Sequence, residues 1–186
     1  MAEPVHTDPE WSPAEFARKR HGDQKRKGTN LPYFTHPKGV AHILERLYPG
    51  HPDLIAAGWL HDILEDTDTR SEELETRFGV DVRRLVEAVT KRDGEYRAPT
   101  DLDAMRLKAA DALDNVTFSV EGLRRGEPVF ERFKSGVAKV DYWRRIADHA
   151  AELLGYEPLV HELTAAVDEV ETLRLRLGTP GGVTPS

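Results

Sequence analysis

The segment from Pro52 to Glu65, PDLIAAGWLHDILE, restricts the fold more than any other part of the chain. It is apolar on almost every side of a helix, which is typical of a helix buried in the middle of a bundle. The polar pair His61 and Asp62 lies inside this segment, and Glu65 and Asp66 follow one turn later. Because ionisable groups are costly to bury alone, this pair requires a compensating partner.

Helical signals also run through the rest of the chain. Ser12 to Glu15 is a capping box with Pro13 at the first helical position, so a helix is predicted from there to about Arg20. Apolar spacing and stop signals predict further helices over residues 36–47, 52–65, 71–78, 82–90, about 101–120, about 129–154 and 158–177, with a loop over 91–100.

These elements predict an all-α, single-domain bundle of roughly eight helices, since the sequence contains no strand pattern. The domain is expected to span residues 11–178 and to include the C-terminal helix at about 158–177, with flexible tails at 1–10 and 179–186. The narrow apolar stripe of that helix fits packing on the bundle as well as a dimer contact. Both a monomer and a homodimer therefore stay open.

Composition excludes several classes of protein. The 186 residues include no cysteine, so any metal must be held by His, Asp or Glu. No apolar run approaches the roughly 18 residues that span a bilayer. The first ten residues, MAEPVHTDPE, lack the basic start and apolar stretch of a signal peptide. We therefore expect a cytoplasmic protein without a membrane partner.

Charge is distributed unevenly along the chain. The formal net charge of −7 argues against a general nucleic-acid partner. The segment from Arg18 to Lys27 instead carries six basic residues and one acid, a net +5, and is the predicted position of a bound anion. The alternative is that this segment is a solvated helix end followed by a loop.

Four residues on three predicted helices have the side chains of a metal site. His36, His61, Asp62 and Asp111 offer imidazole nitrogen and carboxylate oxygen, a mixed set that suits manganese, iron or zinc. Lys108 and Asn115 share the helix face of Asp111. The alternative for the histidine–aspartate pair is that its members only cap or hydrogen-bond neighbouring helices.

Four segments together resemble a known family. They are HGDQKRKGTNLPYFTHP at 21–37, HDILED at 61–66, FGVDVRRLVEAVTK at 78–91 and KAADALDN at 108–115. They are similar to the hydrolase module of the RelA/SpoT alarmone enzymes, within the HD-domain phosphohydrolase superfamily. The segment RRGEPVFERFKSGVAKVDYW at 124–143 also resembles the tail of the compact members that contain only this hydrolase.

The resemblance implies an all-α HD fold with one divalent ion, usually manganese, bound by His36, His61, Asp62 and Asp111. It implies an enzyme that removes pyrophosphate from the 3′ position of guanosine tetra- or pentaphosphate. The expected partner is this small-molecule nucleotide, with a monomer or a homodimer as the state of the chain. The implied roles of the other residues are acid/base catalysis for Glu65 and Asp66, and substrate binding for Arg26, Lys27, Lys108, Asn115 and Tyr142, with Lys108 more a support of the site than a phosphate contact.

The chain departs from the pattern of that family at three places. The loop Gly28–Leu31 is longer, Asp114 stands where the family has histidine, and Phe118 stands where the long enzymes commonly have threonine near guanine. Two alternatives stay open. The first, suggested by these changes, is a phosphohydrolase of another nucleotide, such as an adenosine alarmone, NADPH or a nucleoside monophosphate. The second, suggested by the apolar stripe of the C-terminal helix, is a non-catalytic module that binds the alarmone or a partner protein.

Overall fold

The computed structural model describes residues 11–91 and 98–177. Both predicted tails, together with residues 92–97 of the predicted loop, lie outside these ranges. The described helices are α1 (Pro13–His21), α2 (Thr35–Leu47), α3 (Pro52–Leu60), α4 (Ile63–Asp66), α5 (Ser71–Phe78), α6 (Val80–Val89), α7 (Leu102–Arg124), the 3-10 turn η1 (Val129–Arg132), α8 (Ala138–Leu154) and α9 (Pro158–Leu177). The described residues form no strand beyond an isolated bridge between Lys25 and Pro32. The predicted all-α class is confirmed.

The predicted capping box begins α1. The Ser12 hydroxyl accepts a hydrogen bond from the Glu15 backbone N–H at 3.3 Å, and the Glu15 carboxylate accepts one from the Ser12 backbone N–H at 2.9 Å. These two bonds satisfy donors that a helix start otherwise leaves without partners. They fix the start of α1, whose last turn carries the first part of the basic segment.

Helix α7 is the centre of the bundle. It packs against α2, α3, α6, α8 and α9. Met105, Leu107 and Val116 on α7 are fully buried, and they meet fully buried side chains such as Leu44 and Ile146 from other helices. Because apolar neighbours surround α7, every polar side chain in its middle needs a specific partner.

A close approach of α2 and α3 brings two histidines together. A Cβ added to Gly58 would lie 2.9 Å from Leu44 Cδ1 and 3.0 Å from Ala41 Cα, so only glycine permits this spacing. His36 in the first turn of α2 and His61 directly after α3 lie at the same end of the pair. Their rings are 5.0 Å apart between centroids.

Two helices that the sequence predicts as continuous are interrupted, and both predictions are wrong in this respect. The predicted helix 52–65 is divided into α3 and α4 at His61 and Asp62. His61 Nδ1 donates to the Gly58 carbonyl at 3.0 Å, and Asp62 has φ −97° and ψ 1°, outside the helical region. The break points both side chains toward α7 and α2 instead of along one helix face.

The second interruption lies in the predicted helix 129–154. Its first part is the short turn η1, and α8 begins only at Ala138. Phe133 has extended backbone angles, φ −106° and ψ 135°, which end the turn. Its ring then packs edge-on against Trp143 at 5.6 Å between centroids. This aromatic contact holds the segment before α8 over the bundle.

Among the helices in the described part of the chain, none combines the length and the apolar character needed to cross a membrane.

The substitution Gly58→Ala tests the close packing of α2 and α3. The added methyl group would press on the Ala41 backbone and the Leu44 side chain. We expect the free energy of unfolding to fall by about 1–3 kcal/mol, as in other over-packed interiors. Urea denaturation followed by circular dichroism measures this change.

The matched control is Gly50→Ala, because no atom lies within 4 Å of a Cβ added there. We expect this variant to unfold like the wild-type protein. Equal destabilisation by the two substitutions would contradict a special role for the contact at Gly58.

Candidate functional site

The four predicted metal ligands meet where α2, α7 and the α3–α4 break converge. His36 Nε2 and His61 Nε2 are 3.2 Å apart. Asp62 Oδ2 lies 3.0 Å from His61 Nε2 and 3.4 Å from His36 Nε2. Asp111 Oδ1 lies 3.2 Å from His36 Nε2 and 3.8 Å from His61 Nε2. Two nitrogens and two oxygens thus surround one small volume.

Hydrogen bonds on the far side of each imidazole determine which nitrogen faces this volume. His61 Nδ1 donates to the Gly58 carbonyl at 3.0 Å, and His36 Nδ1 donates to Asp114 Oδ2 at 2.6 Å. Each Nε2 therefore keeps its lone pair toward the centre, as in histidines that bind metals. Four electron-pair donors that face one another repel unless positive charge lies among them.

The electrostatics of the cluster favour a positive charge in the same way. Burial alone would lower the pKa of His36, but hydrogen bonds to Asp111, Asp114 and Asp62 raise it well above its usual value. Burial alone would raise the pKa of Asp111, but Lys108 and the two histidines hold it well below. The donors of His36, His61 and Asp62 lie within 4.8 Å of one another, so this group can hold a metal ion.

Three neighbours hold the carboxylates in position. Lys108 Nζ donates to Asp111 Oδ2 at 2.8 Å, and Asn115 Nδ2 donates to Asp111 Oδ1 at 2.7 Å. The Tyr33 hydroxyl donates to Asp62 Oδ2 at 2.5 Å. Burial and the charge of Asp62 raise the pKa of Tyr33, so the phenol stays a donor. Each carboxylate therefore keeps one fixed orientation.

Glu65 and Asp66 lie on α4 and line the cavity above this cluster. Glu65 accepts hydrogen bonds from the backbone N–H of Lys91 at 2.7 Å and from Lys91 Nζ at 3.0 Å. Burial, followed by the charge of Asp62, raises the pKa of Asp66. The pair therefore combines a carboxylate held by a lysine with a carboxyl group that binds protons more readily than usual.

Arg26 forms part of the cationic wall of the cavity. Its Nη2 donates to Asp114 Oδ2 at 2.6 Å, and its guanidinium lies 3.8 Å from the centroid of the Phe118 ring. Lys27 lines the same cavity. The basic segment thus contributes two cations to the cavity, while Arg18 and Lys19 are exposed in the last turn of α1.

Lys139 on α8 is a cation of this wall that the sequence analysis missed. Its Nζ lies 4.1 Å from the centroid of the Tyr142 ring and 5.6 Å from that of Trp143. Burial, together with the charges of nearby lysines and against the opposing effect of Asp111, lowers the pKa of Lys139 to about 8. Within residues 11–91 and 98–177, its ammonium makes no hydrogen bond or ion pair. An anion in the cavity would provide its missing partner.

The structure gathers the predicted site residues at one place. Ten of the eleven line a single cavity; these are Arg26, Lys27, His36, Asp62, Glu65, Asp66, Lys108, Asp111, Asn115 and Tyr142. His61, only 2% exposed, lies directly behind them. Lys108 is bound to Asp111, and the Asn115 amide N–H groups point to Asp111 as well. Both therefore support the donor cluster in this structure.

Three contributors were not assigned from the sequence. Tyr33 stands inside the quoted segment 21–37, three residues before His36, and that spacing was the available signal. Lys139 precedes Tyr142 by three residues, the spacing of one helix face. Asp114 gave no such signal, because its contacts reach across the chain to α2 and to the loop before it.

Comparison with known proteins provides the family. The family model described as "HD domain" matches residues 14–125. The chain belongs to the HD domain family. The matched segment runs from α1 to the end of α7 and contains all four donors of the cluster.

Two curated relatives are similar over part of the chain. A guanosine-3′,5′-bis(diphosphate) 3′-pyrophosphohydrolase of Aquifex aeolicus is 43% identical over 127 residues, covering 61% of this chain and 18% of that protein. MESH1 of Homo sapiens, which has the same enzyme name, is 49% identical over 117 residues, covering 55% of this chain and 65% of that protein. The matches span less than two thirds of the length of either relative.

A solved structure is similar over more of the chain. It is titled as a metazoan ortholog of SpoT that hydrolyzes ppGpp and plays a role in starvation responses. Its TM-score is 0.63 and its sequence identity is 26%, covering 90% of this chain and 98% of that chain. Together with the two relatives, this match confirms the resemblance to the RelA/SpoT hydrolase module.

The substitution Asp62→Asn tests whether the cluster binds a cation. An ion that binds only the folded protein at 100 times its Kd adds about 2.7 kcal/mol of stability. We expect Mn²⁺ to raise the Tm of the wild-type protein by several degrees and to leave the Tm of Asp62→Asn nearly unchanged. Differential scanning calorimetry with and without Mn²⁺ measures both values.

The control is Asp148→Asn, an exposed carboxylate on α8 outside the cavity. We expect it to keep the full response to Mn²⁺. A wild-type Tm that does not respond to any divalent cation would contradict the assignment of the cluster as a metal site.

Proposed function

We propose that this chain is a metal-dependent hydrolase that removes pyrophosphate from the 3′ position of guanosine tetra- or pentaphosphate. The observation that carries the proposal is one cavity in which a His/Asp donor cluster, the Glu65–Asp66 pair and a wall of cations face one another. Polyphosphate is the ligand class that uses all three parts. The enzyme names of both curated relatives support this substrate.

The donor set supports one divalent ion, and we propose Mn²⁺. The ligands would be His36, His61, Asp62 and Asp111, whose nitrogen and oxygen atoms suit manganese better than a thiolate-seeking metal. A divalent ion bound there supplies Lewis acidity, which acidifies water and neutralises phosphate charge. The close packing of α2 and α3 keeps the donors in place before the ion binds.

Glu65 and Asp66 would act on the water that attacks the phosphate. In the reaction a water oxygen bonds to the phosphorus next to the ribose, and the bond from that phosphorus to the 3′ oxygen breaks. The water loses a proton and the 3′ oxygen gains one, leaving GDP or GTP and pyrophosphate. Glu65, held by Lys91, orients the water. Asp66, whose pKa is raised, takes the proton and returns one to the leaving oxygen.

The cationic wall would hold the charged substrate. Arg26, Lys27 and Lys139 line the cavity and offer positive charge to phosphate oxygens. Tyr142 and Asn115 would line the sugar and base region. Lys108 is bound to Asp111 and therefore supports the donor cluster in place of binding phosphate.

Phe118 favours a second candidate, a hydrolase of an adenosine alarmone or of NADPH. Its ring packs against the Arg26 guanidinium and offers no hydrogen-bonding atom to distinguish guanine from adenine. The product distinguishes alarmones from NADPH. An alarmone of either base releases pyrophosphate, whereas NADPH releases inorganic phosphate.

Product analysis with Glu65→Gln tests the reaction. The Mn²⁺-loaded wild-type protein is expected to convert guanosine tetraphosphate into GDP and pyrophosphate. We expect Glu65→Gln to lower kcat about 10²-fold, because the neutral amide no longer orients the attacking water as the carboxylate does. Ion-exchange chromatography of the products gives the rates.

Glu65→Gln should retain the increase of Tm with Mn²⁺, since Glu65 is not among the proposed metal ligands. Wild-type protein that responds to Mn²⁺ but releases no pyrophosphate from guanosine or adenosine alarmones would overturn the proposed reaction.

The substitution Lys139→Gln tests the phosphate-binding wall. Loss of one charged hydrogen bond is expected to raise KM about tenfold with little change in kcat. Because an amine is charged below its pKa, the wild-type advantage should shrink as the pH rises above about 8. Steady-state kinetics between about pH 7 and pH 9, on either side of the pKa of Lys139, measure both effects.

Lys134→Gln is the control for this experiment, since Lys134 is exposed and lies outside the cavity. The variant Lys139→Arg is expected to have a KM as low as that of the wild-type protein. Its KM should not rise above about pH 8, because a guanidinium stays charged there. An unchanged KM in Lys139→Gln would exclude a contact between Lys139 and substrate.

A further inference from the structure

Asp114 lies between the two halves of the site without belonging to either. It is outside the proposed set of metal ligands and outside the cationic wall. Its Oδ2 atom accepts a hydrogen bond from His36 Nδ1 at 2.6 Å and another from Arg26 Nη2 at 2.6 Å. The side chain is 15% exposed. One nearly buried carboxylate oxygen therefore joins the donor cluster to the nucleotide side of the cavity.

Gly39 on α2 provides the space for this carboxylate. A Cβ at Gly39 would overlap Asp114 Oδ1, so any other residue would displace the carboxylate from its two partners. Glycine inside a helix is less favourable than alanine, because it loses more conformational freedom on folding. Its presence one turn after His36 is explained by the approach of Asp114 from α7.

The bond to His36 has a specific effect on the donor cluster. A carboxylate that accepts from one nitrogen of an imidazole sets the tautomer and the ring orientation, and it makes the other nitrogen a stronger ligand. His36 Nε2, which faces Asp62 and Asp111, is that other nitrogen. Asp114 thus acts on the affinity for the ion through His36.

The bond to Arg26 has a matching effect on the cationic wall. Arg26 is only 8% exposed, and Asp114 is its ion-pair partner in the described part of the chain. The pair holds the guanidinium over the Phe118 ring, where Arg26 lines the cavity. Without the carboxylate, a buried cation would have to move to find another partner.

We propose that Asp114 is a positioning residue shared by the metal ligand His36 and the nucleotide-binding Arg26. The inference rests on the proposed function, since it takes the roles of those two residues from it. Asp114 stands where the resembled motif has histidine, so the motif itself does not assign this link. The expected consequence is that one substitution weakens the binding of both the ion and the nucleotide.

The experiment compares Asp114→Ala and Asp114→Asn with the wild-type full chain. Binding of Mn²⁺ is measured by electron paramagnetic resonance titration, which does not depend on turnover. Binding of GDP, the proposed product, is measured by calorimetry in metal-free buffer. We expect Asp114→Ala to weaken Mn²⁺ binding about 10- to 100-fold and GDP binding about tenfold.

Asp114→Asn should lie between the wild-type protein and Asp114→Ala in both titrations. Its amide oxygen can accept the same two hydrogen bonds, but it lacks the negative charge. This partial rescue distinguishes positioning by a hydrogen bond from a general loss of structure. Circular dichroism establishes that each variant is folded at the titration temperature.

Gly39→Ala and Asp103→Ala complete the design. Gly39→Ala keeps the Asp114 carboxylate but displaces it, so this variant should bind both Mn²⁺ and GDP more weakly. The added methyl group itself favours the helical conformation of α2. Asp103, on the same helix α7, forms an ion pair with Arg106 at 2.7 Å outside the cavity. Asp103→Ala is therefore expected to change stability without changing either titration.

Each outcome separates this inference from the proposed function. Wild-type protein that binds neither Mn²⁺ nor GDP overturns the proposed function and the inference together. Normal wild-type binding with unchanged titrations in Asp114→Ala overturns only the inference. Loss of one ligand without the other also overturns it, because a shared positioning residue must affect both.

Discussion

The repulsion among four buried electron-pair donors governs the arrangement around them. The Nε2 atoms of His36 and His61 face each other at 3.2 Å, with two carboxylates beside them. Such a cluster persists in a folded protein only if positive charge compensates it. Lys108 provides part of this charge from α7, and a proton on His36, whose pKa is raised, or a cation at the centre provides the remainder. The packing of α2 against α3 and the break before α4 hold the donors of His36, His61 and Asp62 close enough together to hold one metal ion.

Local sequence signals carried much of the fold. The capping box at Ser12 and the stop at Tyr48 mark helix ends through contacts a few residues apart, and the structure agrees with both. The same signals failed at His61 and Asp62. The apolar periodicity predicts a continuous helix there. Contacts of these two side chains with Tyr33 and His36, which are distant in sequence, favour an interrupted helix instead. The start of α8 was missed for a similar reason, since the packing of Phe133 on Trp143 depends on tertiary contact.

The candidate site divides in the same way. Imidazoles and carboxylates at helical spacing could be predicted as metal ligands from the sequence, because a buried ionisable side chain needs a compensating partner such as a metal ion. Asp114 was visible only as a departure from a motif. Its partners His36 and Arg26 are 78 and 88 residues away in sequence, so no local sequence pattern predicts these contacts. The position of Lys139 in the cavity could be predicted only if the position of α8 were known, and the start of this helix was itself predicted incorrectly.

The half-buried amine of Lys139 also has a chemical consequence. An amine whose pKa is about 8 is uncharged near neutral pH more often than an ordinary lysine, and the uncharged form has a lone pair available for bond formation. Ordinary surface lysines are almost completely protonated at this pH, so their lone pair is not available. The aromatic surroundings that exclude water from Lys139 therefore make it the more nucleophilic amine, open to acylating reagents until an anion fills the cavity and restores its proton.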